Sequence, residues 1–235
     1  MNALNSQNKK LNINLRKSYA KFFSVFMVCC FCFASCAWQQ EEEYDLRPSR
    51  RYSELIEKVS SGRTYDIAFV GDSLTNLGDF ENVFADKNCI NLGIAGDSIN
   101  DCRTRLHLLQ QCGAKKIFLL IGINSFLISR ESLSNNIYSY KRLLKKIREI
   151  YPYAEIYIES LLPTDPDISL FVPSNVICIF NEMLKQFSEE YGAVYIDLHS
   201  SFLSGDYIKS SFTCDGLHLT DEGYQVWYDT VADYL

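Results

Sequence analysis

Short apolar runs alternate with longer segments of mixed character along most of the chain. A short apolar run bounded by Gly or Pro is typical of a strand, whereas apolar residues about every three or four positions are typical of an amphipathic helix. The run at residues 115–122 is almost continuously apolar, as expected for a parallel strand that is covered on both faces. The predicted strands are residues 65–70, 88–93, 115–122, 154–162 and 193–198.

Helical spacing marks the segments around these strands. In one of them, Tyr140, Leu144 and Ile147 fall on a single helix face. The last segment begins with Thr220 as a helix N-cap, and two acidic residues follow it in the first turn. The predicted helices are residues 52–62, 99–113, 135–151, 175–192 and 221–235. Strands that alternate with helices in this way predict a three-layer α/β/α domain with a parallel sheet.

The first 36 residues follow a different pattern. Five Lys and Arg residues without any acid precede an apolar segment at residues 22–35, which is shorter than the roughly 20 residues that a membrane span needs. The segment ends in Phe33-Ala34-Ser35 before Cys36, which resembles a bacterial lipoprotein signal with Cys36 as the lipidated residue. Phe33 departs from that pattern, where an aliphatic residue is usual. An uncleaved signal anchor is the alternative, and either reading predicts an exported protein.

The residues after Cys36 are expected to form a tether and one domain. Residues 37–51 are polar and acidic and contain Pro48, which is typical of a linker. Residues 52–235 have the length of a single domain with its own core. Lys and Arg number 23 and Asp and Glu 29 in the chain, so removal of residues 1–36 with their five cations leaves 18 against 29, or a net charge of −11. A domain this acidic argues against nucleic acid as a partner.

The nine cysteines do not form a recognisable disulfide or zinc pattern. Four of them lie in the predicted signal, at positions 29, 30, 32 and 36. The other five are an odd number without a CxxC spacing, and we interpret them mostly as small buried residues, with one disulfide as the alternative. These five are Cys89, Cys102, Cys112, Cys178 and Cys214. The spacing of a zinc site is absent, so we expect no metal.

Polar residues that could take part in catalysis follow the predicted strands. Gly71-Asp72-Ser73 comes directly after the first strand, where Ser73 is either a nucleophile or a helix cap and Asp72 is an acceptor that organises the loop. Asp215 precedes His218 by three residues, a spacing that allows the carboxylate to orient the imidazole, whose other nitrogen then accepts a proton from a serine. The carboxyl ends of parallel strands are where such sheets bind ligands.

A serine nucleophile also needs hydrogen-bond donors for the oxyanion that forms during acyl transfer. The candidates are the backbone N–H groups of Ser73 and Gly96 and the side-chain amide of Asn124, each of which follows a predicted strand. Glycine at position 96 allows a substrate carbonyl to approach the backbone closely.

Four sequence blocks, in this order along the chain, resemble those of the GDSL-type SGNH hydrolases, a family of serine esterases. The blocks are GDSL at 71–74, NLGIAGD at 91–97, IGIN at 121–124 and DGLH at 215–218. The resemblance covers residues 64–235 and is closer to the branch that includes platelet-activating-factor acetylhydrolase-like esterases. It implies a flavodoxin-like α/β/α fold with a five-stranded parallel sheet. One departure is Ser125, since the third block usually continues with Asp, and this puts the local loop geometry in question.

The resemblance also implies roles for the site residues. Ser73 is then the nucleophile, His218 its base and Asp215 the residue that orients His218, and the oxyanion donors are Ser73, Gly96 and Asn124. No metal or organic cofactor is implied. Because no long insertion is present to form a lid, we expect a short acyl group, most simply acetate on a carbohydrate. A lysophospholipase or lipid esterase and a non-catalytic carbohydrate-binding surface lipoprotein are the alternatives.

Other candidate residues have simpler interpretations. Asp197 and His199 superficially resemble a second dyad but are interpreted as a loop feature. His107 lies within a predicted helix, away from the strand ends. Phe126 and Phe171 lie in loops near the expected site, and they line either an acyl or sugar pocket or the surface. With the predicted lipid anchor at Cys36, the location is the outer membrane, on its periplasmic or its surface face.

Overall fold

The computed structural model describes residues 50–235. The predicted signal, the lipidation site Cys36 and residues 37–49 of the predicted linker lie outside the described residues. The first helix, α1 (Arg50–Ser60), includes the last two residues of that predicted linker. Within residues 50–235, none of the helices combines the length and the apolar character that crossing a membrane requires.

The centre of the domain is a five-stranded, fully parallel sheet, which confirms the predicted fold class. Its strands are β1 (Ile67–Gly71), β2 (Cys89–Asn91), β3 (Lys116–Leu120), β4 (Glu155–Glu159) and β5 (Val194–Ile196). Their order across the sheet is β2-β1-β3-β4-β5, so the direction of winding reverses between β1 and β3. A reversal of this kind opens a crevice at the carboxyl ends of the two strands, where ligands of such sheets bind.

Helices and short turns connect the strands. After α1 come α2 (Ser73–Leu77), α3 (Phe80–Val83), α4 (Ile99–Thr104), α5 (Leu106–Cys112), α6 (Ile123–Leu127), α7 (Leu133–Ile150), α8 (Ser174–Glu190), α9 (Leu198–Phe202) and α10 (Asp221–Ala232). A small antiparallel hairpin, β6 (Leu203–Ser204) and β7 (Tyr207–Ile208), follows α9. Three single-turn 3₁₀ helices lie at Ala85–Lys87, Ile168–Leu170 and Ser210–Phe212.

The predicted single helix at residues 99–113 is wrong, because the structure divides it into α4 and α5 at Arg105. Arg105 has a non-helical backbone (φ −103°, ψ 17°), and its guanidinium is bound to loops at the ends of β1 and β2. The sequence shows continuous helical spacing here, but these contacts outweigh the local preference for helix.

The predicted start and buried face of the last helix agree with the structure. The Thr220 hydroxyl accepts a hydrogen bond from the N–H of Gly223 at 3.2 Å and caps α10. Trp227 of α10 is fully buried, and its indole N–H donates to the Glu159 carboxylate at 2.7 Å. Aromatic rings from β1, β3 and β4 stack beneath this helix, with Phe118 lying between Phe69 and Tyr157 at centroid distances of 4.9 and 4.4 Å.

Three of the five cysteines in the described domain are buried thiols, as predicted for small core residues. They are Cys89, Cys102 and Cys112. Burial raises the pKa of both Cys89 and Cys102 to about 11. A thiol that stays protonated at neutral pH is a poor nucleophile, so these residues contribute packing to the core.

Candidate active site

The structure brings together three predicted site residues that are far apart in the chain. Ser73 is the first residue of α2, directly after β1, and its Oγ lies 3.0 Å from Nε2 of His218. The other ring nitrogen of His218, Nδ1, lies 2.7 Å from Oδ2 of Asp215. An ionised carboxylate only accepts hydrogen bonds, so the Nδ1 atom carries the ring proton. Nε2 is then free to accept the proton of the Ser73 hydroxyl.

A tight turn before α10 fixes the relation of Asp215 to His218. Oδ1 of Asp215 accepts the N–H groups of Leu217 and His218 at 3.0 and 2.7 Å. Burial by itself raises the pKa of Asp215, but the hydrogen bond and charge of His218 and these two N–H groups outweigh it and lower the pKa to about 2. Asp215 therefore remains ionised at neutral pH and orients the imidazole.

A second turn presents Ser73 at the end of β1. Asp72 is the N-cap of α2, and its Oδ1 accepts the N–H of Leu74 at 3.1 Å, in agreement with its predicted role as a loop acceptor. Glycine is required at position 71, because a Cβ atom there would lie 2.3 Å from the carbonyl oxygen of Leu120. Close contact between the β1 and β3 ends thus sets the position of the serine.

The Asp72 carboxyl group is also fully buried, which the sequence did not indicate. Its second oxygen, Oδ2, has no hydrogen-bond partner among residues 50–235. Burial raises the pKa of Asp72 to about 7, although the Leu74 N–H and the charges of His218 and Arg105 act in the opposite direction. Near neutral pH, a substantial fraction of the molecules therefore carries a proton on the residue next to Ser73.

The two other predicted oxyanion donors are connected through Asp97, which follows Gly96 and is hydrogen-bonded to Asn124. Gly96 occupies a turn with φ +85°, a left-handed conformation that favours glycine, and this turn is exposed. Asn124, the second residue of α6, is buried, and its Nδ2 donates to the carbonyl oxygen of Asp97 at 3.1 Å. The turn is attached to the end of β1 through the N–H of Ile94, which donates to the carbonyl oxygen of Gly71 at 3.1 Å.

Arg105 is a site-forming residue that the sequence analysis missed. Its guanidinium is buried, forms an ion pair with Asp97, and donates to the carbonyl oxygens of Leu92 at 2.7 Å and Gly71 at 2.8 Å. Burial raises the pKa of Asp97, and the positive charge of Arg105 opposes this shift. One cation therefore joins the Gly96 turn to the end of β1, two residues before Ser73. The sequence contained one indication of this role, since Arg105 is a charged residue within an otherwise amphipathic helical segment.

The remaining histidine candidates have structural roles. The N–H of His199 donates to Oγ of Ser160 at 2.8 Å, and Asp197 caps α9 by accepting the N–H of Ser200 at 3.1 Å. Burial lowers the pKa of His199. His107 is exposed, with Nε2 3.0 Å from the hydroxyl of Tyr52. Asp197 and His199 thus form the start of α9 and not a second dyad; the sequence analysis had interpreted them as a loop feature.

Phe126 and Phe171 line one cavity of about 250 Å³. The cavity lies between the loop after α6 and the loop before α8, and its walls also include Leu133, Val172, Pro173 and Val176, with Arg130 and Glu131 as charged members. Phe126 follows Asn124 by two residues on α6. The loop after β4 is bound to the Asp215 turn, because the N–H of Asp165 donates to the carbonyl oxygen of Gly216 at 3.0 Å.

No group of three or more His, Cys, Asp or Glu residues within the described part of the chain has the arrangement of a metal site. The groups brought together at the strand ends include a hydroxyl, an imidazole and a carboxylate. Such a set can transfer an acyl group from an ester to a serine oxygen and then to water.

Solved structures with the same fold include several hydrolases. A Streptococcus pneumonia protein whose name refers to platelet activating factor is 22% identical, with a TM-score of 0.70, and the match covers 80% of this chain and 92% of that one. A GDSL-like lipase from Bacteroides thetaiotaomicron is 13% identical, with a TM-score of 0.69 and coverage of 78% and 96%. An acetylxylan esterase from Geobacillus stearothermophilus is 15% identical, with a TM-score of 0.58 and coverage of 73% and 94%. At these identities the likeness establishes the fold.

The family is established by the sequence itself. Among curated proteins, none has a matching sequence. The sequence profile of the GDSL-like lipase/acylhydrolase family, however, matches residues 69–226, which include all four blocks of the predicted resemblance. This match confirms the predicted family. The chain belongs to the GDSL-like lipase/acylhydrolase family and is a hydrolase of carboxylic esters.

Proposed function

We propose that the protein is a serine esterase that removes short acyl groups, with Ser73 as its nucleophile. The observation that carries this proposal is the continuous hydrogen-bonded series from Ser73 Oγ to His218 Nε2 at 3.0 Å and from His218 Nδ1 to Asp215 Oδ2 at 2.7 Å. A serine hydroxyl is a weak nucleophile on its own, and a neighbouring base of this kind activates it.

In the first half of the proposed reaction, the ester acylates the enzyme. Ser73 Oγ attacks the ester carbonyl carbon while its proton moves to His218 Nε2, and the carbonyl electron pair moves onto the oxygen. When this tetrahedral intermediate collapses, the bond to the alkoxy oxygen breaks and the His218 proton passes to the departing alcohol. The ionised Asp215 stabilises the imidazolium between these two proton transfers.

In the second half, water takes the place of the alcohol. His218 accepts a proton from water, whose oxygen attacks the acyl carbon, and the same proton returns to Ser73 Oγ as the carboxylic acid leaves. The N–H groups of Ser73 and Gly96 and the amide of Asn124 are the proposed donors to the negative oxygen in both halves. Asn124 has a second amide hydrogen for this purpose, since only one is needed for its bond to the Asp97 carbonyl.

For the substrate, we propose an acetyl ester on a carbohydrate. The short connections after β1 and β3 support a small acyl group, because α2 and α6 begin within three residues of those strand ends. The cavity beside α6 is large enough for part of a sugar and combines aromatic walls with charged groups. A protein with the same fold is named as an acetylxylan esterase, which is consistent with this proposal.

The proposed location is outside the cytoplasm, on a lipid anchor attached to Cys36. This proposal rests on the basic and apolar pattern of residues 1–36. Metabolic labelling with a fatty acid is expected to mark the wild-type protein and not the Cys36→Ser variant. Equal labelling of the two would contradict the anchor.

The full-length protein and its Ser73→Ala variant provide the test of function, with p-nitrophenyl acetate, butyrate and octanoate as substrates. We expect the variant to lose at least about 10³-fold in kcat. A wild-type rate that falls from acetate to octanoate supports the short-acyl proposal, whereas a rate that rises with chain length indicates a lipid esterase. Equal rates for the two proteins would refute Ser73 as the nucleophile.

A further inference from the structure

The position at which this chain departs from the family pattern forms a hydrogen bond inside the site. Ser125 follows Asn124 on α6 and is 1% exposed. Its Oγ accepts the backbone N–H of Ile99, the first residue of α4, at 2.9 Å. This bond links two loops that leave different strands, β2 and β3.

The bond is one of a pair that attaches α6 to the Gly96 turn. Asn124 donates its amide to the carbonyl oxygen of Asp97, and Ser125 accepts from Ile99, so two adjacent residues of α6 contact positions on either side of Ser98. Ser98, between these two positions, is itself held by a capping box with Asp101 at the start of α4. The distance between Gly96 and Asn124 is therefore set by both bonds.

Each bond alone leaves freedom that the other removes. If the Ser125 bond were absent, the Asn124 amide would be the one remaining link of this pair, and the amide and the Gly96 turn could move together. The Ser125 bond fixes the backbone at Ile99, so that the Asn124 amide is held in one orientation toward the turn. Catalysis by oxyanion donors depends on such prior placement, because donors that must reorganise stabilise the transition state less.

The residue type also suits its surroundings. Asp97 lies two residues before Ile99, and its charge acts on Asp72; burial raises the pKa of both carboxyl groups. A hydroxyl accepts the Ile99 N–H without placing a third carboxylate beside them, and a further buried charge would carry a large desolvation cost. Serine at position 125 thus supplies the acceptor in neutral form.

We infer that Ser125 is a positioning residue of the esterase site, and that its hydroxyl holds the Gly96 N–H and the Asn124 amide in the arrangement that binds the oxyanion. This inference rests on the proposed function, because it assumes that these two groups are the oxyanion donors. Ser125 acts through Ile99 and Asn124 and does not itself contact the substrate.

Ser160 offers a matched control within the same domain. It is fully buried, follows β4, and its Oγ accepts the backbone N–H of His199 near the start of α9 at 2.8 Å. Ser125→Ala and Ser160→Ala therefore each remove one buried hydroxyl that accepts a backbone N–H at a helix start, and Ser160 also hydrogen-bonds to the side chain of Tyr195. Only Ser125 is attached to the Gly96 turn, so only its loss is expected to change catalysis beyond any effect on stability.

The experiment measures kcat and KM for p-nitrophenyl acetate with the full-length wild-type protein, Ser125→Ala, Ser160→Ala and Ser73→Ala, alongside their melting temperatures. We expect Ser125→Ala to lower kcat about tenfold with little change in KM, because oxyanion donors act in the transition state and not on the bound ester. Ser160→Ala is expected to retain kcat within about twofold at a similar loss of melting temperature. An unchanged kcat for Ser125→Ala, or equal losses in the two variants, would overturn the inference.

Hydrogen exchange provides a second measurement that does not depend on activity. We expect the backbone amides of residues 94–99 to exchange faster in Ser125→Ala than in the wild type, and to be unchanged in Ser160→Ala. Unaltered exchange in this segment would refute the positioning role. If wild type and Ser73→Ala hydrolyse the ester equally, the proposed function fails by itself, and the exchange measurement still decides whether Ser125 holds the turn.

Discussion

Arg105 and Asp97 form an ion pair beneath the site, with side chains that are only 6% and 12% exposed. Burying two charges costs solvation free energy, and such pairs persist where further hydrogen bonds satisfy the remaining donors. Here the other guanidinium nitrogens donate to the carbonyl oxygens of Leu92 and Gly71. The pair therefore connects the Gly96 turn to the end of β1. Substitution of Arg105 is the first test of its role.

Arg105→Lys is expected to lower kcat for p-nitrophenyl acetate by about tenfold or more, because lysine cannot reach Asp97 and both carbonyl oxygens at once. The control is Arg148→Lys, since half-buried Arg148 donates to the carbonyl oxygens of Ala154 and Tyr191 at 2.7 and 2.9 Å, away from the carboxyl ends of the strands. We expect both variants to lose stability in urea unfolding, but only Arg105→Lys to lose kcat while folded. Equal kcat values would contradict a role for Arg105 in the site.

Substitution of His218 is expected to abolish most of the activity, whereas substitution of His199 is expected to leave it nearly unchanged. His218→Ala removes the proposed base, and we expect kcat to fall by at least about 10³-fold. His199→Ala removes a side chain whose backbone N–H, and not its ring, contacts Ser160, so kcat should remain within about twofold of wild type. Steady-state kinetics on p-nitrophenyl acetate check both expectations. A comparable loss in His199→Ala would mean that the catalytic dyad has been assigned to the wrong pair.

The buried carboxyl group of Asp72 is expected to make stability depend on pH. Its folded-state pKa is about 7, against a value of 3.8 for an ordinary aspartate. Between those pH values the folded protein holds a proton that the unfolded chain releases, so the contribution of Asp72 to stability declines as pH rises from about 4 to about 7. Asp72→Asn keeps an acceptor for the Leu74 N–H but cannot ionise, and this decline should therefore disappear.

Melting temperatures of the wild type and Asp72→Asn, measured at intervals from pH 5 to pH 8, test this expectation. Asp86→Asn removes one exposed carboxylate and is the control for loss of a charge. We expect the melting temperature of Asp72→Asn, relative to wild type, to increase as pH rises across the interval. A constant difference between the two proteins would show that Asp72 does not titrate in this range.

Gly71→Ala is expected to be more damaging than alanine at Gly192, because it affects the site as well as the stability of the fold. The new Cβ would lie 2.3 Å from the Leu120 carbonyl oxygen and 2.1 Å from Oγ1 of Thr75, so the ends of β1 and β3 would have to separate. Such overpacking typically costs about 1–3 kcal/mol, and here it also displaces the adjoining turn that carries Ser73. We therefore expect lower stability in urea unfolding together with loss of esterase activity.

Gly192→Ala is the control for this substitution. Gly192 has φ +59°, and a Cβ there meets nothing within 4 Å, so the expected cost is only the roughly 1–2 kcal/mol of a left-handed alanine. Activity should be retained. If Gly71→Ala were no more destabilising than Gly192→Ala, the close approach at the strand ends would not restrict this position.

Much of the architecture follows from local patterns that a single sequence displays. The apolar runs predicted all five strands, because a strand buried on both faces needs continuous apolar residues whatever its neighbours are. Asp215 and His218 were identified as a pair because three residues of one turn suffice to bring their side chains together. The four sequence blocks also identified the family and located Ser73, Gly96 and Asn124 at the ends of strands.

The tertiary structure decided what depends on contacts between distant segments. Arg105 interrupts a helix that the apolar spacing predicted to be continuous, because three contacts at the ends of β1 and β2 hold its guanidinium. Ser125 appeared only as a departure from a pattern, and its hydrogen bond to Ile99 exists because β2 and β3 place α4 and α6 side by side. Periodicity reports which face of an element is apolar, whereas the partner of a buried polar group is set by how the elements pack.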